Sequence, residues 1–263
     1  MSETFTYVLL ERRDGASFVT INRPEQRNAL NNVVLAELGR AVDIAAADPE
    51  TACIVITGAG DKAFCAGGDL KEMGAPNDLL AEHQGRGALA AFFGKLWAAG
   101  KPTIARVDGY CLAGGFGVAL ACDLVVASDR STFGAPEVKV GLWPYMISLP
   151  LIRSMPPKQA LKLMMTGERV DARRGAEIGF LTDVVPADQL DKQVAEYVRA
   201  FRSVSPQAIA LGRSSFYQIV DHEPQARLAL LHANLGVALT MPDAAEGLAA
   251  FAEKRSPRWA AEK

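Results

Sequence analysis

The chain has 263 residues, of which 49% are hydrophobic and 22% charged, and its formal net charge is -2. That length buries a sizeable core in one large domain, or in a main domain with an appendage. The charge balance leaves no footprint for nucleic acid, and apolar runs broken by Gly, Asp or Arg well short of eighteen residues argue against a membrane span.

Residues 6–11 and 17–22 are alternating or apolar runs around Asp14-Gly15, which predicts a hairpin. Asn31 or Asn32 caps a predicted helix over 33–46, whose apolar face is Val33, Leu35, Leu38, Ala41, Val42 and Ile44. Runs 52–57 and 103–107 read as buried strands, each leading towards a glycine-bearing loop, 64–70 and 109–117. Between the loops, 73–86 has no firm period and is a candidate mobile segment, whereas 88–98 reads as a helix. A short helix through Ala121, a strand at 124–127 and a strand-turn at 131–134 follow, and this alternation predicts an α/β fold. Beyond Lys158 the texture is helical at 160–165, 172–178 and 190–204, with a strand only at 181–185, and the last sixty residues are wholly helical. The expected division is a core over 1–198 and a helical region over 199–263, with the main body or a neighbouring subunit as outlets for the tail's apolar faces.

The opening Met-Ser-Glu-Thr-Phe-Thr-Tyr has neither a positive nor an apolar leader region, so a cytoplasmic protein is expected. Cys53, Cys65, Cys111 and Cys122 lie far apart with no C-x-x-C and are expected as reduced, buried thiols. His83, His222 and His232 are too sparse for a recognisable metal site, so none is expected. Gly58-Ala59-Gly60-Asp61-Lys62-Ala63 matches a dinucleotide fingerprint superficially, but more loop follows where a helix should open, and a plain turn is the other reading. No lysine follows the glycines as a phosphate-binding loop requires, and Ser148 lies outside any G-x-S-x-G.

The two glycine loops together suggest an anion site, because glycine lets a ligand approach backbone N–H groups closely. The second loop opens a helix, whose amides and macrodipole favour developing negative charge; tight strand-to-helix packing would need the same small residues. Pro136 fixes the chain just before Glu137, amid Phe133, Val138, Val140, Leu142 and Trp143. A partly desolvated carboxylate there exchanges protons near neutral pH; a capping or surface glutamate is the alternative.

These segments together resemble the enoyl-CoA hydratase/isomerase, or crotonase, superfamily. The resemblance is carried in order by Asn22-Arg23-Pro24 with Asn28-Ala29-Leu30, the stretch from Ala63 to Met73, the stretch from Gly109 to Asp123, Phe133-Gly134 with Pro136-Glu137, and the tail 250–255. It implies a spiral of stacked ββα units with a C-terminal helical tail used in oligomerisation, as a homotrimer or homohexamer. It also implies an acyl-CoA thioester as substrate, with coenzyme A part of that substrate and no separate cofactor. By motif position Gly68 and Gly114 would donate N–H groups to the thioester oxygen, and Glu137 would be the acid–base residue. Substrate or CoA contacts would come from Gln26, Arg27, Ala29, Ala66, Gly67, Asp69, Leu70, Tyr110, Gly117 and Trp143.

The departure from the family pattern is Gly117, which stands where its hydratases usually carry a first glutamate. Three readings follow: hydration by Glu137 alone, as in relatives acting on branched glutaconyl-type CoA esters, which segment 141–148 resembles; a proton shuttle between α- and γ-carbons, which is isomerisation; or acyl-CoA binding without turnover. Gly117, Trp143, Tyr145 and residues 73–86 are the expected determinants of acyl specificity.

Overall fold

The computed structural model describes residues 4–69, 87–220 and 224–260. Strands β1 (Val8–Arg13) and β2 (Ala16–Ile21) form the expected hairpin, with Asp14 and Gly15 at positive φ in its turn. Helix α1 (Asn32–Ala47) is capped by Asn31, whose side chain accepts a hydrogen bond from Val34 N–H at 2.9 Å. Its buried stripe is Val34, Leu35, Leu38, Ala41, Val42 and Ala45. Val33 and Ile44, expected on that face, are 48% and 40% exposed because they sit one position off the 34–38–41–45 row. Glu37 on this helix is buried and accepts the N–H groups of Thr6 and Tyr7, each at 2.8 Å, which ties the N-terminal segment down.

A six-stranded sheet of order β1-β2-β3-β5-β7-β10 carries β3 (Cys53–Gly58), β5 (Thr103–Val107), β7 (Leu124–Ser128) and β10 (Asp183–Val185), parallel from β2 onward. A second sheet has order β4-β6-β8-β9, formed by β4 (Ala63–Cys65), β6 (Tyr110–Leu112), β8 (Thr132–Gly134) and β9 (Arg169–Asp171). The chain visits the large sheet, then the small one, then a helix, and repeats: β3-β4-α2 (Ala88–Ala98), then β5-β6-α3 (Gly114–Ala121), then β7-β8. This is the expected spiral of ββα units.

The two faces of β3 explain its unbroken apolar run. Ile54 and Ile56 join the main core with α1, α2 and α3, whereas Cys53 and Val55 pack with Leu190, Val194 and Val198 of α7 (Leu190–Arg202). Helix α7 runs through residue 198, and α8 (Pro206–Ile219), α9 (Pro224–Leu239) and α10 (Pro242–Glu253) follow it. Among the described residues the remaining helices are α4 (Ser148–Ser154), α5 (Pro157–Thr166) and α6 (Ala172–Ile178).

One polar cluster fastens the tail to the body. Asp123 accepts from Thr103 N–H at 2.7 Å, Arg213 Nε at 2.7 Å and Tyr217 OH at 2.6 Å. The same guanidinium donates to the carbonyls of Trp97 and Leu96 at the end of α2. By contrast Leu235, Leu239, Leu248 and Phe251 on α9 and α10 are 57–87% exposed.

All four cysteines are buried and free, and burial pushes the thiols of Cys53 and Cys65 up to about 12. Among the described residues no helix is long and apolar enough to cross a membrane, and no group of three metal-ligating side chains occurs. His83, His222, Leu70 and the 73–86 segment lie outside the described residues, and His232 is exposed on α9.

Candidate active site

The first glycine loop is held in an extended bridge. Leu30 pairs in parallel with Gly68: Leu30 N–H donates to Gly67 O at 2.7 Å and Asp69 N–H donates to Leu30 O at 2.8 Å. In a parallel bridge of this register both bonds to Leu30 come from the neighbours of Gly68, so its own N–H points away from Leu30. No acceptor for that N–H occurs among the described residues. Earlier in each segment, Ala66 N–H donates to Arg27 O at 3.0 Å.

The second segment is less of a loop than its glycines suggest. Tyr110–Leu112 is strand β6, and α3 begins at Gly114, so only Ala113 lies between them. The N–H groups of Gly114, Gly115 and Phe116 have no acceptor within the helix; the first closing bond is Gly117 N–H to Ala113 O at 3.1 Å. Ala113 takes φ +50°, ψ −128°, a region that L residues resist, and this turns the strand into the helix within one residue.

The two segments touch. A Cβ placed on Gly67, whose φ is +102°, would lie 2.6 Å from Ala113 Cβ, 3.1 Å from Leu112 O and 3.4 Å from Gly114 N, so only glycine fits. Gly68 and Gly114 are thereby brought to adjoining backbone. The other glycines of α3 serve packing: a Cβ on Gly115 would meet Cys65 O at 2.5 Å, and one on Gly117 would meet Ile147 Cγ2 at 2.4 Å and Phe93 Cζ at 2.9 Å. A Cβ on Gly114 would make only ordinary contacts, with Leu30 Cδ1 at 3.4 Å and Leu89 Cδ2 at 3.5 Å. The packing reading therefore holds at Gly115 and Gly117, whereas Gly114 is free of that crowding.

Glu137 reaches the same end of the small sheet. Strand β8 pairs with β6 through Cys111–Phe133 and Leu112–Gly134, and Ala113 N–H donates to Gly134 O at 2.9 Å. The chain then enters a 3-10 turn at Pro136–Val140, which begins just before Glu137. Its Oε2 is buried with no hydrogen-bond partner among the described residues. Burial holds its carboxyl above the ordinary glutamate value, against a smaller opposing effect of its own backbone N–H. The apolar surroundings differ from expectation, since Val140 and Leu142 are 57% and 47% exposed. Phe133 instead anchors the turn from below, in an aromatic trio with Phe116 and Phe180.

The other sequence-derived positions divide. Arg27, Ala66 and Tyr110 line a cavity of about 90 Å³ with Leu112 and Arg169, and the Arg169 guanidinium lies 5.6 Å from the Tyr110 ring centre. Gln26 is exposed at the end of a 3-10 turn, Pro24–Gln26. Ala29 is buried and its carbonyl accepts from Arg23, and Asp69 pairs with Arg23 as well. Trp143 is half-buried against the main core, while Tyr145 is 72% exposed. Gly58 to Lys62 connects β3 to β4 without opening a helix, which removes the dinucleotide reading. Ser148 Oγ donates to Pro144 O.

Three contributors had no role assigned from sequence. Ala113 carries no sequence signal, since its strain arises only where β6 meets α3. Arg169 comes from a strand too short to show a period. Arg23 stands in the Asn-Arg-Pro stretch, but its partners lie up to 46 residues away.

Comparison with known proteins agrees with this architecture. Residues 11–262 match the enoyl-CoA hydratase/isomerase family model. The chain is 35% identical over 257 residues to a probable enoyl-CoA hydratase of Mycobacterium tuberculosis, covering 97% of this chain and 98% of the relative. It is also 35% identical to a 2,3-dehydroadipyl-CoA hydratase of Escherichia coli, covering 95% and 97%. The crystal structure of an enoyl-CoA hydratase of Mycobacterium smegmatis superposes with a TM-score of 0.92 at 31% identity, over 97% of this chain and 99% of that one. On a match running nearly from end to end, with the ββα spiral to go with it, the chain belongs to the enoyl-CoA hydratase/isomerase family.

Proposed function

We propose that the protein hydrates a 2-enoyl-CoA thioester, with Gly68 and Gly114 N–H groups receiving the thioester oxygen and Glu137 serving as the single acid–base residue. The observation that carries this reading is Glu137 Oε2, a buried carboxylate oxygen without a partner among the described residues. A buried polar atom left unsatisfied costs free energy and points to a role in chemistry.

Ionised Glu137 takes a proton from water as the water oxygen bonds to the β-carbon. The π electrons move onto the thioester oxygen, which becomes an enolate oxygen held by the two amides. The same carboxyl group returns its proton as the α-carbon bonds to hydrogen, so one group serves both steps. Losing one oxyanion donor typically costs about 2.7–4 kcal/mol of transition-state stabilisation. Crotonyl-CoA and 3-methylglutaconyl-CoA are the substrates to test, by loss of enoyl absorbance. Turnover that Glu137→Gln abolishes supports the reading, and a wild-type rate in that variant refutes it.

Gly117 favours one second reading. With no carboxylate on α3, a single base suffices to move a proton between the α- and γ-carbons, and absorbance that rises with a 3-enoyl-CoA would select isomerisation. The exposed apolar side chains of α9 and α10 support burial in a homotrimer or homohexamer, which light scattering tests. Four buried reduced thiols support a cytoplasmic setting, as does a CoA-ester substrate.

A further inference from the structure

Arg23 is a buried cation that the chemistry above does not use. It is 6% exposed, its Nε has no partner among the described residues, and taking a guanidinium out of water is costly. Its fork joins the two segments that form the Leu30–Gly68 bridge: Nη1 donates to Ala29 O at 2.7 Å and Nη2 to Asp69 Oδ2 at 3.0 Å. Those acceptors flank Leu30 and Gly68 respectively. The Tyr7 ring lies 4.9 Å from the guanidinium carbon and covers it. Backbone strain accompanies this clamp, since Arg27 and Asn28 are consecutive non-glycine residues at φ +52° and +57°. Asn28 holds that turn: its Oδ1 accepts Arg23 N–H at 3.0 Å and its Nδ2 donates to Ala59 O and Ala63 O at 3.0 and 2.7 Å.

The geometry points to Arg23 as a positioning residue for the oxyanion donor at Gly68. It sets the direction of that N–H by locking both sides of the bridge with one planar fork. A lysine ammonium is a point charge on a flexible stem and does not reproduce two divergent bonds of fixed geometry. This inference rests on the proposed oxyanion hole but not on hydration.

The test uses the full chain with acetoacetyl-CoA, whose enolate absorbs in the near ultraviolet, so that the bound enolate fraction reports oxyanion-hole strength without turnover. Arg23→Met is expected to weaken the enolate band at saturating ligand and to lower kcat on crotonyl-CoA by about 100-fold, with KM little changed. Arg23→Lys should recover only part of either signal. Asp69→Asn, which keeps an oxygen acceptor for Nη2, should retain most of the band where Asp69→Ala loses it. A wild-type band in Arg23→Lys or in Arg23→Met overturns the proposal, and so does a wild-type protein that shows no band. If Arg23→Met does not fold, the Lys and Asn variants decide alone. A band that depends on Arg23 in a protein without hydratase turnover sinks the hydration reading and leaves this one standing; turnover with a band indifferent to Arg23 does the reverse.

Discussion

Gly117→Glu places a carboxylate on α3 at the position where family hydratases usually carry one, and the structure predicts that it fails. The new Cβ alone would lie 2.4 Å from Ile147 Cγ2 and 2.9 Å from Phe93 Cζ, and Ile147 and Phe93 are each 2% exposed. Overpacking of this kind costs about 1–3 kcal/mol. The carboxyl group would also enter an apolar wall, where its cheaper state is protonated, and holding it neutral at pH 7 costs about 3.7 kcal/mol. Leaving glycine in a helix gains back about 0.5–1 kcal/mol. The net loss of about 4–6 kcal/mol is a large share of a typical folding free energy and lowers Tm by about 8–24 °C. The companion variant Gly117→Glu/Ile147→Ala vacates the space. Ile147→Ala alone costs about 2–5 kcal/mol, and a double-mutant cycle should show the pair coupled by about 0.5–3 kcal/mol in the favourable direction. Thermal unfolding of the four proteins reads this directly. A Gly117→Glu protein with a wild-type Tm, or strict additivity in the cycle, would refute the claim that Ile147 fills the space at 117.

Glu137→Gln should lower hydration by about 10²–10⁴-fold with the thioester still bound, as read by enoyl absorbance and a CoA-ester titration. Since water activation needs the ionised carboxylate, the hydration rate of the native protein should rise with pH through a midpoint above the ordinary glutamate value, and a midpoint at or below that value would contradict the burial argument. The same shift acts on stability: folded Glu137 binds its proton more tightly than the unfolded chain does, so stability falls as pH rises between the ordinary and the raised value. Denaturant melts of Glu137→Gln should lack that fall. Arg213→Ala strands Asp123 without its cation and should cost about 3–5 kcal/mol in denaturant unfolding; proteolysis should then cut first between α7 and α10, and unchanged protection would count against the clamp. Glu246, held down to about 2 by Arg255 and Arg258, contributes stability above the ordinary glutamate range that is lost as pH falls towards that value. Accordingly the α10 amides should exchange faster in acid before those of β3 do.

What could be read from sequence was whatever carries its own period. Runs 52–57 and 103–107 are mostly apolar because β3 and β5 are largely covered on both faces, with Arg106 the exception that reaches Asp191, and 88–98 shows helical spacing because α2 buries Phe92, Phe93 and Leu96 along one side. Strands β4, β6 and β9 have three residues each, too few for alternation to register, so of the small sheet only β8, within the strand-turn at 131–134, is legible in the sequence. Glycine composition was also ambiguous. Gly67, Gly114, Gly115 and Gly117 look alike in the chain, yet contact with Ala113 forces the first, the second is free of crowding, and Cys65 and Ile147 fill the side-chain space of the last two. The family motif could identify Glu137, but its desolvation depends on tertiary packing that no local pattern records.

Ala113 makes the spacing between the two proposed donor amides a matter of steric contact. Its methyl group fills the space beside Gly67 that a Cβ there would need, so a carbon spacer, indifferent to protonation and to salt, fixes the separation of the two glycine segments. Glu137 answers to pH and that spacer does not. The two halves of the proposed site are therefore separable by acid: below the titration of Glu137, a CoA thioester should still be bound while proton transfer is silent.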